Sequence, residues 1–399
     1  MKKILMLSLA TLLTIIGCTI SQVEGDKTSE QQDQISQESQ GSFDAPATIV
    51  TMEDYEIHAY SFVDGEIEKI NETTSEIIRP QSISWTESPE VQSLNKEFFY
   101  LYEIRKPGDM IRPLEETQII KFDPFNNTKE LVYKHDGSSM VKRWKPTSEG
   151  VLVLLVPPVE LYDSSERESQ EEYAKLILVG PENKEVEVIS ENILALDSDK
   201  EEIDPYLYSE IFHPSTNIYS LIVDKYFSDG KTVTTVPYLF QYDVANGDTS
   251  IKELEFMKSP TTASLCHQGD NLFWQDYIPR NDEGELIEIY KTYQTNLITG
   301  ETKLLSNFDQ KIGVNFLFCK DDYIVAELGW GYEEVVLIKD YKISDTFKGI
   351  LLNANDHYIV YDSTDDLNSI EKIMIYNVKT GESVPLYLDI VTRKVYLSN

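Results

Sequence analysis

An all-β fold is predicted by three observations. Short runs rich in Tyr, Phe, Val and Ile alternate with polar residues from residue 47 to the end, stretches of helical periodicity are missing, and one strand–turn–strand unit recurs throughout. β-Branched and aromatic residues in period-two alternation suit a half-buried pleated surface, and the Asp, Asn and Gly between them suit turns. Helix should therefore be rare.

The recurring unit is clearest at Tyr293–Leu305 around Gly300, at Ile373–Leu386 around Gly381 and at Phe240–Ile251 around Gly247. Weaker copies centre on Gly65, Asn127 and Asn183, with a degenerate one near Asp340. Glycine or asparagine belongs there because a tight hairpin needs positive φ at its turn. Turn-to-turn separations are 62, 56, 64, 53, 40 and 41 residues. Four strands in about 40 to 50 residues is the spacing of a β-propeller blade, and longer intervals accommodate loop insertions. Seven such hairpins predict a β-propeller of about seven blades, within a range of six to eight.

An inner pair of strands precedes several of these hairpins, at Leu265–Trp274, Phe318–Val325 and Leu352–Val360. Inner pair followed by outer hairpin is the order a blade requires. A pair of β-sandwich domains is the competing architecture; the ring is preferred because the repeat continues to the end of the chain and closure leaves only short sheet edges. Either the early strand at Tyr55–Phe62 or the tail Lys394–Leu397 is expected to complete a terminal blade. Trp144–Val153 and Phe212–Leu221 each set an aromatic residue, a proline and a polar turn before an apolar strand. These segments resemble the strand–turn–strand signature of TolB-type propellers without that family's Asp-Gly-Lys turn, a resemblance that implies fold rather than activity.

At the amino terminus, Lys2 and Lys3 precede a mostly apolar run, Ile4 to Ile16, and then Gly17-Cys18. The run is short for a bilayer span and reads as a secretory leader, residues 1–17. Ile15-Ile16-Gly17-Cys18 resembles the bacterial lipobox, with Ile15 where leucine is commoner; the resemblance implies a lipid on Cys18 and a protein held at the cell membrane facing outside the cytoplasm. Two or three acyl chains make a stable anchor. Residues 18–46 are rich in Ser, Gln and acids and are expected to be a disordered tether with a mean reach of about 25 to 30 Å. Residues 47–399 form the propeller domain.

Acids outnumber bases 69 to 35, for a net charge of −34, and loss of Lys2 and Lys3 with the leader widens the imbalance. Such a surface repels nucleic acid and anionic headgroups. Besides Cys18 there are only Cys266 and Cys319. The export route permits a disulfide, but the repeat sets these two at matching positions of neighbouring blades, expected to lie beyond the roughly 7 Å between Cα atoms that a bridge tolerates.

Templates for chemistry fail one after another. The five histidines, His58, His135, His213, His267 and His357, include no pair at metal-ligand spacing and read as turn or surface residues. Gly230-Lys231-Thr232 lacks the phosphate loop's earlier glycine, since Lys225 stands there, and no Gly-x-Ser-x-Gly elbow occurs. The Ser-x-Asp-x-Gly-x-x-Trp box of sialidase propellers is missing, and four tryptophans are too few for quinoprotein docking motifs. Leu161–Glu168 gathers acids and reads as a surface insertion. Two acidic loops suit a hard cation: Asp197, Asp199, Glu201 and Asp204 in one, Asp362, Asp365, Asp366 and Asn368 in the other. Calcium is the one candidate cofactor, and solvated loops are the default for so acidic a chain. The expected function is binding or scaffolding by a lipid-anchored propeller, with an envelope protein, peptide or glycan as partner. The alternatives are a surface glycan or peptide hydrolase, whose carboxylates converge only in the fold, and a subunit of an envelope complex.

Overall fold

A computed structural model of the chain describes residues 43–53, 56–73, 91–94, 97–105, 114–136, 140–156, 175–180, 185–188, 201–202, 206–213, 217–228, 233–257, 265–280, 286–306, 308, 313–329, 334–363, 372–388, 392 and 394–398. The leader, Cys18 and residues 19–42 of the expected tether lie outside these residues, as does Leu161–Glu168; residues 43–46, expected to belong to the tether, are described, and Phe43 among them is buried in the core. Twenty-nine strands and no helix occupy the described residues.

The strands form seven antiparallel sheets in chain order. Blade one holds β1 (Ala47–Glu53), β2 (Glu56–Val63) and β3 (Glu66–Thr73). Blade two is β4 (Val91–Leu94), β5 (Glu97–Arg105), β6 (Leu114–Asp123) and β7 (Thr128–His135); blade three is β8 (Met140–Thr147), β9 (Gly150–Val156), β10 (Lys175–Val179) and β11 (Glu185–Glu187). In blade four, β12 (Glu201–Glu202) and β13 (Tyr206–His213) pair with opposite ends of β14 (Ile218–Ser228), followed by β15 (Val233–Asp243) and β16 (Thr249–Glu253). Blade five is β17 (Leu265–Gln268), β18 (Asn271–Arg280), β19 (Leu286–Asn296) and β20 (Thr302–Leu304). Blade six is β21 (Val314–Cys319), β22 (Ile324–Leu328), β23 (Glu334–Lys339) and β24 (Lys342–Lys348). Blade seven is β25 (Ile350–Ala354), β26 (Tyr358–Asp362), β27 (Ile373–Asn377) and β28 (Ser383–Pro385). The last strand, β29 (Val395–Ser398), returns to pair with β1 and becomes the innermost strand of blade one. The tail, rather than the early strand, is thus what completes the terminal blade.

Local chemistry makes the outer hairpins. Asp123, Asp243, Asn296 and Asn377 each end a third strand, and each turns its Oδ1 onto two following amides. Asn296 Oδ1, for example, accepts from Ile298 N at 3.1 Å and Thr299 N at 2.8 Å, and Asn377 Oδ1 accepts from Lys379 N at 2.8 Å and Thr380 N at 3.1 Å. Asp123 and Asp243 do the same. Such side chains replace a backbone partner and set the turn. The chain then reverses through a left-handed residue four places on, Asn127 (φ 50°), Gly247 (77°), Gly300 (74°) or Gly381 (78°).

Packing decides between ring and sandwiches. Side chains alternate along each strand, so every sheet presents one face to the preceding blade and one to the next. Leu272 and Trp274 join Ile222 and Leu239 of blade four, whereas Phe273 between them joins Phe316 and Ile324 of blade six. Seven apolar clusters fill the seven seams. The one that closes the ring sets Ile49, Tyr60, Phe62 and Leu397 of blade one against Tyr358, Val360 and Ile375 of blade seven. Phe43, ahead of β1, plugs that seam, stacked on Tyr358 at 6.0 Å between ring centroids. A sandwich would have one core between two sheets; here each sheet serves two cores.

Two expectations are corrected. Cys266 and Cys319 are joined in a disulfide, with their Cα atoms 5.8 Å apart. They do occupy matching places on neighbouring blades, but on β17 and at the end of β21, the innermost strands, where blades converge on the axis. His58 and His267 are buried rather than exposed, because each sits within a strand, opposite Thr51 and Leu272 respectively.

Candidate functional site

The two ends of the ring differ in how the chain turns. At the end where first strands pass to second strands and third to fourth, every connection has two to five residues. The other end carries the links between second and third strands and between blades, among them residues 74–90, 106–113, 157–174 and 188–200. The blades also reach unequally toward it. The central strands of blades four and five run 10 or 11 residues, those of blades six and seven only 5 or 6. At about 3.4 Å per residue, the ladder of blade five runs about 14 Å past the last rung of blade six: Gln275 corresponds to Glu327, one residue short of that rung, and pairing continues to Arg280.

Toward the tight-turn end the inner strands are knitted together. Gln92 Nε2 donates to Trp144 O at 2.8 Å, Ser93 Oγ to Leu397 O at 2.7 Å, Gln268 Nε2 to Lys320 O at 2.7 Å and Asn355 Nδ2 to Ser398 O at 3.1 Å. These side chains pair carbonyls that the sheets leave open on their inner edge.

Near the long-connection end, one position of the second strand recurs as a buried polar residue facing the next blade. In blade five it is Gln275, whose Oε1 accepts from Val314 N at 3.0 Å while its Nε2 donates to Thr292 Oγ1 at 3.1 Å. In blade six it is Glu327, whose Oε1 accepts from Leu351 N at 3.3 Å. The Asn315 side chain also hydrogen-bonds this carboxyl, and Oε2 is buried without a partner. Burial pushes the Glu327 carboxyl up, against the opposing pull of those two hydrogen bonds. Blade seven has Asp362 there, fully buried.

Asp362 is therefore part of a blade seam and not an open acidic loop; its expected co-ligands Asp365, Asp366 and Asn368 lie outside the described residues. So do Asp197, Asp199 and Asp204, while Glu201 lies in β12 paired with Ser228. Among the described residues no three metal-ligating side chains come together. Cys18 also lies outside them.

The raised hairpin of blade five carries two stacked aromatic pairs. Trp274 and Tyr293 lie 4.5 Å apart on its blade-four side, and Tyr277 and Tyr290 lie 4.9 Å apart on the other. Burial raises the Asp276 carboxyl, with Lys291 drawing it back. Neither tyrosine was singled out by sequence reasoning. The available signal was the Tyr and Ile content on both sides of the loop, in Tyr277-Ile278 and Ile287–Tyr293, since alternation breaks at Gln275-Asp276.

These features define a seven-bladed β-propeller closed by its C-terminal strand and differentiated at one end. No family model matches the chain, and no curated protein matches its sequence. Among solved structures it is similar to a putative 6-phosphogluconolactonase from Bacteroides fragilis, at 11% identity and TM-score 0.46 over 89% of this chain and 98% of that one. It is also similar to the β-propeller domain of the Trilobed protease from Pyrococcus furiosus, at 10% identity and TM-score 0.46 over 85% and 91%. A third is the acylaminoacyl peptidase of Pyrococcus horikoshii, at 9% identity and TM-score 0.48 over 75% of this chain and 45% of the peptidase. The seven-bladed assignment rests on the sheets and seams themselves.

Proposed function

We propose that the protein is a lipid-anchored, extracytoplasmic binding module: Cys18 carries the lipid, and the long-connection end of the ring receives an envelope protein, peptide or glycan. The observation that carries this reading is the contrast between the two ends. Recognition elements concentrate in long connections held on a rigid scaffold, and here the scaffold is knitted at one end and elaborated at the other. The Cys266–Cys319 bridge supports an oxidising compartment, since such bonds are rare where thiols are kept reduced.

The test is in two parts. Cys18→Ala is expected to move the protein from the membrane fraction to the soluble one and to abolish palmitate labelling. Pull-down of the lipidated protein from intact cells is expected to retain a partner. Persistence of membrane attachment in the variant would refute the anchor, and a released hydrolysis product without a retained partner would favour a hydrolase. That second reading draws on Glu327, whose raised carboxyl suits a general acid. It ranks lower because both of its oxygens are committed to, or sealed within, the seam between blades six and seven.

A further inference from the structure

We infer that Glu327 is a proton-operated switch in the seam between blades six and seven: the seam closes over its carboxyl when that group is protonated and parts at the long-connection end when it ionises. This goes beyond the binding-module reading and does not depend on it. Blade five shows how the position works without a charge. There Gln275 lies opposite Thr292 in the ladder, so its amide serves two partners at once, accepting from Val314 N and donating to Thr292 Oγ1. In blade six the same two tasks fall to a carboxyl. Glu327 Oε1 accepts from Leu351 N, but the residue opposite is Val335, which is fully buried and offers no hydroxyl. Oε2, which stands where Gln275 has its amide nitrogen, is accordingly the atom left buried without a partner.

Among the described residues, nothing that faces this carboxyl would balance a charge on it. Asn315, across the ladder on β21, hydrogen-bonds it and is neutral; β23 presents Val335, β24 Phe347 and β25 Leu351. The titratable groups of the seam are Tyr361 on β26 and Tyr376 on β27, whose hydroxyls donate to Ser383 Oγ and to Asp345 Oδ2. Asp345 is an acid itself, so its sign opposes ionisation of Glu327. Glu334 and Lys348, one position along their strands, point to the other face of the sheet. Burial therefore prevails over the two hydrogen bonds that favour the ionised form and raises the carboxyl. A carboxylate held there without a cation is relieved by water. Glu327 is one residue from the last rung, Leu328 with Glu334, so water is reached by releasing Leu351 N while the blade stays folded.

The test is hydrogen exchange of the detergent-solubilised full chain from about pH 4 to about pH 7.5, a window that brackets a raised carboxyl. Exchange is read by mass spectrometry and corrected for its intrinsic pH dependence. Two matched amides are compared, Leu351 N on Glu327 and Val314 N on Gln275. Opening at Leu351 is expected to rise about tenfold per pH unit between the ordinary carboxylate value and the folded one and then to level off, because each opening releases one proton. Val314 should show no such rise. Glu327→Gln should abolish it at Leu351. Glu327→Gln/Val335→Thr copies the blade-five pair, so it should abolish the rise and protect Leu351 more than the single variant does. The inference is overturned if the ratio of protection at Leu351 and Val314 is constant across the range, or if the rise at Leu351 persists in either variant.

Discussion

Reduction of the Cys266–Cys319 bridge gives the sharpest quantitative test of the ring. The bond spans 53 residues, from the inner strand of blade five to that of blade six. In the chain-entropy treatment, closing a loop of that length removes about 14 cal/mol/K from the unfolded ensemble, or about 4 kcal/mol at 25 °C. The folded side changes little, because Cys266 lies among Phe273, Phe316, Ile324 and Ala326, whose packing holds the two blades together without the bond. Since each blade shares a core with both neighbours, the domain is expected to melt as one unit. At about 1.4 °C per kcal/mol for a domain of about 350 residues, the unfolding temperature should fall by about 6 °C. The assay is urea and thermal unfolding of oxidised and fully reduced samples, with alkylation and mass spectrometry to count thiols. Cys266→Ala/Cys319→Ala should melt with the reduced parent. Coincident transitions, with a difference below about 1 kcal/mol, or two alkylatable thiols in protein isolated without reductant, would refute the reasoning.

Three further outcomes are expected. Gly349, the single residue linking β24 to β25, has φ +138°, and a Cβ there would sit 2.0 Å from the Asp362 carbonyl oxygen; Gly349→Ala should destabilise by about 3 kcal/mol or more, read from urea midpoints. Because the Glu327 carboxyl is raised in the fold, the native state holds that proton more tightly than the unfolded chain does. Its contribution is fully present below the ordinary carboxylate range and is lost as pH rises through the folded value, so Glu327→Gln should flatten the decline of stability above about pH 4.5. An unchanged slope would locate the pH dependence elsewhere. Deleting residues 395–399 removes Val395 and Leu397 from the closing seam and strips β1 of its inner partner. Cooperative melting should be lost, and a peptide of residues 394–399 should restore it.

What could be read from sequence was what the chain decides locally. The hairpins at Gly247, Gly300 and Gly381 announce themselves because an Asp or Asn, the turn residues and the glycine lie within five positions and interact with one another. The inner pairs at Leu265–Trp274 and Leu352–Val360 are legible for the same reason, with strand and polar turn adjacent. Closure was not: Ile49 meets Leu397 across nearly the whole chain, and nothing in either segment specifies the other. The disulfide was misjudged because turn-to-turn spacing gives order around the ring but not distance from its axis. His58 and His267 were misplaced because a lone histidine carries no sign of which strand face it occupies. Gln275, Glu327 and Asp362 share no residue type; what they share is depth along the second strand, which appears only once the register is known.

The distribution of constraint across the fold bears on where recognition can evolve. Both faces of every sheet are committed to seams, so a substitution there is felt in packing between blades. Several outer strands are short and largely charged or polar, as in Thr249–Glu253 and Thr302–Leu304, which protects their edges from pairing with other chains. The tight-turn end is fixed twice, by side chains that cap their own turns and by those that tie one inner strand to the next. Only the other end tolerates added length, because a connection that leaves and re-enters the ring there disturbs no seam, and lengthening it costs entropy only logarithmically. The long central strands of blades four and five, the short ones of blades six and seven and the long links between blades occur together at that end. On the proposed binding role, this uneven end is where a partner would be received.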